Sequence, residues 1–214
     1  MFCRHDLVWL TGRGWDAAFA GAAAGQHAAF DRWRREDWPA VVRRADAGLA
    51  PLHVSLGIPL PPASDGVKGR IAFNASTSDV ARCIGALALE DAAAAAPVRW
   101  RSALNLLADT LPLRAYGSLA MQALTGQAYV TATSDIDVLF FPTDGDKLRA
   151  GLVMLEWHAA VLPLDGEIVF PTGAAVSWKE WLGAGPARAR VLVKDAGAVR
   201  LAHMADLLAT LEAA

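Results

Sequence analysis

The sequence predicts an α+β fold: a mixed sheet with helices in the second half, preceded by a smaller amino-terminal α/β domain. Three observations lead there. Strand-like and helix-like patterns alternate from Pro97 onward. Asp135 and Asp137 stand one residue apart inside an otherwise apolar, β-branched run. The 214 residues are 54% hydrophobic, enough for one large domain or two small ones sharing a core. The division is expected near residue 90, giving domains of 1–90 and 91–214.

In the first half, His5–Leu10, Val41–Arg44 and Leu52–Leu56 read as strands, and Asp31–Glu36 as part of a helix exposing Arg32, Arg34 and Arg35. Prolines at 59, 61 and 62 predict an extended, loop-like exit. Val67–Phe73 is a strand entered through a turn at Asp65–Gly66, and Ser78–Leu89 is expected to be a helix capped by Ser78. In the second half, Pro97 opens a helix at Val98–Leu111. Strand Leu113–Tyr116, helix Leu119–Leu124 and strand Ile136–Phe141 come next, followed by helix Asp146–Ala160 and strand Leu164–Phe170. A short helix at Ser177–Leu182, a strand at Arg190–Lys194 and an amphipathic helix at Ala202–Leu211 complete the order.

Composition narrows the class. A formal charge of −2 offers no global attraction to nucleic acid or to a membrane surface. Two cysteines, Cys3 and Cys83, make no disulfide framework and read as buried or incidental thiols. Arg4, His5 and Asp6 fall where a signal peptide needs its apolar segment. No apolar run approaches the roughly 20 residues that span a bilayer. A cytoplasmic protein is expected.

The chemistry centres on two motifs. Side chains at i and i+2 share one face of a strand, so Asp135 and Asp137 project together while Ile136, Val138 and Phe140 point into a core. Neighbouring acids repel unless a cation lies between them. Mg²⁺, held by one or two carboxylates plus substrate phosphates, suits that arrangement, and Mn²⁺ is the alternative. An Asp-x-Asp is equally a solvated pair in a turn, but here the surroundings are apolar, where unpaired charge is costly. Ahead of the acids, Gly117–Ser118 close one strand and open a helix, whose first backbone N–H groups suit a phosphate.

Together, Tyr116–Gly117–Ser118 and Ser134–Asp135–Ile136–Asp137–Val138–Leu139–Phe140 resemble the nucleotidyltransferase superfamily signature. The interval from Ser118 to Asp135 is longer than usual there, and Thr125 to Ser134 read as an inserted loop. The whole string YGSLAMQALTGQAYVTATSDIDVLF resembles the phosphoribosyl-dephospho-CoA transferases, the holo-acyl-carrier-protein synthases of malonate decarboxylase. So do Arg4–Leu10, Gly57–Phe73, Leu164–Gly173 and Ala175–Leu182. The resemblance implies a nucleotidyltransferase-like catalytic domain over 91–214, substrate or carrier contacts from 1–90, and a defined reaction. Triphosphoribosyl-dephospho-CoA would be joined to a serine of the apo acyl carrier subunit of malonate decarboxylase, with release of pyrophosphate.

In that superfamily the strand here spanning Leu164–Phe170 supplies a third carboxylate. Asp165 and Glu167 are the candidates; the reading leans to Glu167, because Leu-Asp-Gly also explains Asp165 as a turn residue. Ser118 and the N–H groups after Gly117 would hold the departing pyrophosphate. Lys68 and Arg70 flank Gly69 and either clasp a phosphate or line a solvated strand edge. Lys194 ends a strand where it either reaches phosphate or protects an edge. Arg4 and His5 are weaker candidates, and Arg32, Arg34 and Arg35 either face an acidic carrier or form a solvated helix face. Eight tryptophans read as core and interface filler. Two other readings compete: a small-molecule nucleotidyltransferase of the same fold, or a citrate lyase counterpart; and a non-catalytic binding module. The intact Gly117, Ser118, Asp135 and Asp137 argue against the last.

Overall fold

A computed structural model describes residues 2–63, 66–185 and 190–212. The chain divides into two compact units, Met1–Ala86 and Leu87–Ala214.

The first unit carries five strands in the order β4-β3-β2-β1-β5. These are β1 (Leu7–Leu10), β2 (Ala40–Val42), β3 (His53–Pro62), β4 (Lys68–Ser76) and β5 (Val80–Ile84). Every pairing is antiparallel, so the amino-terminal α/β domain expected here is built on an antiparallel sheet. Helices α1 (Gly12–Ala20) and α2 (His27–Arg35) follow one another with no strand between them, and the chain returns as β2 antiparallel to β1. Thr11 caps α1 by accepting from the Gly14 N–H at 3.1 Å. Trp15, Phe30, Trp33, Leu56 and Ile58 are buried, and the Trp33 indole donates to the Pro39 carbonyl at 3.1 Å.

Two expectations change in this unit. The prolines do not end β3, which runs on to Pro62. Strand β2 pairs with β3 only at Leu56 and Gly57, so beyond that point β3 has β4 as its sheet neighbour, and a missing N–H costs no bond on the other side. The helix expected at Ser78–Leu89 is absent. A 3₁₀ turn at Thr77–Asp79 is capped by Ser76, and Val80–Ile84 completes the sheet beside β1. Pairing with an open edge overrides local propensity there. Asp65, at the expected turn, lies outside the described residues.

The second unit has seven strands in the order β12-β11-β10-β9-β8-β7-β6. In chain order come β6 (Leu87–Ala88), α3 (Leu89–Ala93), α4 (Val98–Thr110), β7 (Leu113–Ala115), α5 (Gly117–Thr125) and β8 (Ile136–Phe140). Then follow α6 (Gly145–Ala159), β9 (Leu164–Val169), β10 (Ala175–Ser177), α7 (Trp178–Gly183), β11 (Arg190–Lys194), β12 (Val199–His203) and α8 (Met204–Glu212). Strands β8 and β9 run parallel and the other pairings are antiparallel, giving the mixed α+β sheet expected. The parallel pair needs a crossover, and α6 supplies it.

Alternation settles the faces. Ile136, Val138, Phe140, Leu164, Ile168, Val176, Val191 and Val193 are all buried and belong to one apolar cluster with Trp100, Leu104 and Leu107 of α4 and Leu148, Leu152 and Leu155 of α6. Both helices repeat their buried positions at three- and four-residue spacing, as amphipathic helices do. Short strands β10 and β12 were not expected. Ala202, read as the start of the last helix, instead lies in β12 opposite Val191.

Seven of the tryptophans are buried or nearly so, whereas Trp157 on α6 is 60% exposed. Cys3 and Cys83 are free and exposed, not buried. Among the described residues no helix is long and apolar enough to cross a membrane.

Candidate active site

The face of the seven-stranded sheet opposite the apolar cluster is polar. Asp135 lies just ahead of β8 and is exposed, and Asp137 within it is half-buried, while Ile136 between them is buried. The parallel register sets Asp137 directly beside Asp165 and Leu139 beside Glu167. On the other side Arg114 of β7 lies beside Leu139. In-register neighbours share a face, so Asp135, Asp137, Asp165, Glu167 and Arg114 all project from it. Ser177 pairs with Glu167 and Lys194 with Ala175, extending the same face to β10 and β11.

Gly117 closes the site at its helix end. It has φ +65°, and a Cβ built on it would fall 2.2 Å from the Asp137 Oδ2. Only glycine tolerates both the conformation and the contact. The Asp137 carboxylate therefore lies against the first residue of α5, where the helix dipole favours negative charge. The Tyr116 N–H donates to the Asp137 carbonyl at 3.0 Å, tying the turn to β8. Ser118, half-buried, follows in the first turn of α5.

The stretch from Gly126 to Asp135 is a loop, as expected, and it is well anchored. The Gln122 side chain accepts from the N–H groups of Tyr129 and Val130 at 3.0 and 2.9 Å and donates to the Ala95 carbonyl at 2.7 Å. The buried Ser134 hydroxyl accepts from the Thr131 N–H at 2.9 Å. These bonds fix the approach to Asp135.

The two acids of β9 differ. The Asp165 side chain is 44% exposed, with the Lys179 ammonium of α7 3.7 Å away. Glu167 is 3% exposed, and its Oε1 accepts from the Lys194 ammonium at 2.8 Å. Among the described residues no three acidic, histidine or cysteine side chains stand close enough to form a complete metal cage. The donor set instead suits a hard divalent cation that takes one or two carboxylates and completes its shell from a substrate's phosphates.

The remaining candidates belong to the first unit. Lys68 and Arg70 are exposed on one face of β4, opposite Pro62 and Pro59. The space over Gly69 is taken by the Leu60 side chain, 3.2 Å from a Cβ built there. His5 has φ +72°, and its Nε2 lies 3.2 Å from Arg4 Nη2. Arg34 pairs with Asp16 at 2.5 Å, Arg35 with Glu36 at 3.2 Å, and Arg32 stacks over Trp38.

Sequence reasoning passed over Arg114, Lys179 and Gln122. Arg114 had a usable signal, since a lone cation between Leu113 and Ala115 must face away from the core. Lys179 and Gln122 had none, because their partners lie in other elements.

Comparison with known proteins agrees with this organisation. Residues 3–86 match the model described as Phosphoribosyl-dephospho-CoA transferase MdcG N-terminal domain, and residues 87–205 match the corresponding C-terminal domain. A "Phosphoribosyl-dephospho-CoA transferase" of Xanthomonas campestris pv. campestris (strain 8004) is 40% identical over 205 residues, covering 92% of each chain. Proteins of the same name from Xanthomonas euvesicatoria pv. vesicatoria (strain 85-10) and Bradyrhizobium diazoefficiens (strain JCM 10833 / BCRC 13528 / IAM 13628 / NBRC 14792 / USDA 110) are 38% and 40% identical. The first alignment covers 99% of each chain, the second 83% of this chain and 80% of its relative. No solved structure matches.

Proposed function

The chain belongs to the phosphoribosyl-dephospho-CoA transferase family and is a transferase, and from that premise we propose that it moves triphosphoribosyl-dephospho-CoA onto a serine of the apo acyl carrier subunit of malonate decarboxylase. The carrier's serine oxygen attacks the phosphorus next to the ribose. The bond from that phosphorus to the pyrophosphate oxygen breaks, a phosphodiester forms, and the hydroxyl proton passes to a carboxylate. Pyrophosphate leaves. The Leu87–Ala214 unit serves as a nucleotidyltransferase-like catalytic domain, the amino-terminal unit contributes substrate or carrier contacts through residues such as Lys68 and Arg70, and the cytoplasm is the place of action.

What supports this reading most is the register that sets Asp137 beside Asp165 on a polar face whose neighbouring turn, Gly117–Ser118, begins a helix. Asp135 and Asp137 would hold Mg²⁺ or Mn²⁺, which when bound offsets the negative charge of the polyphosphate. Asp165, open and alongside, is the acid best placed to take the proton. Gly117 and Ser118 present backbone and hydroxyl groups to the pyrophosphate, and Arg114 and Lys194 add positive charge to the same face. Catalysis of this kind is mostly positioning and charge stabilisation.

Intact mass of apo carrier protein after incubation with the donor and Mg²⁺ tests the reaction. Asp135→Ala and Asp137→Ala should fold as wild type yet lose on the order of 10³-fold or more in transfer rate. Near-normal transfer by either variant would remove the assignment.

A further inference from the structure

Glu167 and Asp165 are two residues apart on one strand face, yet their surroundings have little in common. Asp165 is open and lies in register with Asp137. Glu167 is buried to 3% exposure one step further along, beside the buried Leu139. An unpaired carboxylate so deep is strongly disfavoured, and the charge opposite it is Lys194. That lysine sits on β11, two strands over, because β10 runs between. Its in-register neighbour on β10 is Ala175, whose methyl is buried and small enough for the lysine stem to lie across. The alternating residues Val191 and Val193 are buried on the other face, so the backbone of β11 cannot turn the lysine elsewhere. The side chain of Lys194 nevertheless stays 40% exposed.

We infer that Glu167 is a positioning residue: it anchors the Lys194 ammonium over the polar face as a fixed anion-binding group for the donor's polyphosphate and does not ligate the metal. A lysine normally gives up much rotamer freedom when it grips an anion. One already held by a buried carboxylate has lost that freedom on folding, so the anion meets a preorganised charge. The inference takes the identity of the anion from the reading above, but the anchor itself stands on the ion pair.

Calorimetric titration of the full-length protein with inorganic pyrophosphate, in EDTA, reads the anchor without turnover or metal. Glu167→Ala and Lys194→Gln should each weaken binding about tenfold, the value of one charge-assisted hydrogen bond. The double variant should bind no more weakly than Lys194→Gln alone, since both changes remove one device. Glu167→Gln keeps an acceptor for the ammonium and should bind within about twofold of wild type. In transfer assays Glu167→Ala should raise KM for the donor more than it lowers kcat, with the Mg²⁺ requirement unchanged.

The inference is overturned if wild type does not bind pyrophosphate under these conditions, or if Lys194→Gln binds as wild type does. It is also overturned if Glu167→Gln and Glu167→Ala alike raise the Mg²⁺ concentration needed for transfer, the mark of a metal ligand. Should Glu167→Ala fail to fold, the Lys194→Gln and Glu167→Gln comparison still decides. Pyrophosphate binding with this pattern, but no mass added to the carrier, would sink the proposed reaction and leave the anchor standing.

Discussion

Gly117 answers two demands with one missing side chain: a left-handed backbone and a carboxylate oxygen where a methyl would be. Gly117→Ala should therefore displace Asp137 as well as strain the turn. Strain of this kind is worth about 1–3 kcal/mol, so the variant should melt lower but still cooperatively. Transfer should fall by about 10²-fold, the usual result of misplacing a catalytic group by an ångström. Wild-type kinetics in a folded Gly117→Ala protein would break the link between turn and acid. His158 offers a second residue-scale test. It is 1% exposed, and neither ring nitrogen meets a hydrogen-bond partner among the described residues. Burial pushes its pKa down, favouring the neutral form. Above the unfolded value near ~6.5 both states are neutral and its contribution is intact. Below that, the unfolded chain takes up a proton that folded His158 resists, so stability is lost as pH falls towards the folded value. Calorimetric melting temperature should drop between about pH 7 and pH 5 by this route, and His158→Leu should flatten the slope. At this scale much was legible. Asp135, Asp137, Gly117 and Ser118 follow from strand alternation and a turn. The choice between Asp165 and Glu167 was not, because alternation puts both on one face. Their surroundings differ only through the register of a parallel neighbour and a lysine two strands away.

Strand β9 shows how an element depends on one backbone position. Gly166 has φ +145°, and a Cβ built there would lie 1.9 Å from the Val138 carbonyl oxygen. Any side chain would force β8 and β9 apart where Asp137 and Asp165 are brought together. Gly166→Ala should cost more than about 3 kcal/mol, read as a large fall in the denaturant midpoint. Wild-type stability would mean that the strands can shift without penalty. Elements with a strong local pattern were readable: α4, α6, β8, β9 and β11 each fall within a few residues of expectation. Strands β5, β10 and β12 went unread because their pairing partners, not their own residues, make them strands. The Ser78–Leu89 segment looks helical in isolation and is claimed by the open edge of β1. The prolines of β3 were read as a stop, although a strand with a neighbour on one side can carry them.

For the whole molecule, the two units each hold a buried core. The large apolar cluster runs from Leu89 to Leu211 and lies wholly within the second unit. A fragment beginning at Leu87 should therefore be soluble and melt in a single cooperative transition by calorimetry. A fragment with no cooperative transition would show that its core cannot stand alone. Composition suggested one large domain or two small ones sharing a core; the separate cores and the boundary at Ala86 rest on long-range contacts that composition does not encode. The parallel pairing of β8 with β9 has a consequence in time. Antiparallel neighbours can zip together from a hairpin, whereas these two strands meet only after the entire α6 segment has formed and folded back. The chemistry proposed for Asp137 and Asp165 should thus be a late arrival during refolding, with helical signal returning first and turnover lagging behind it.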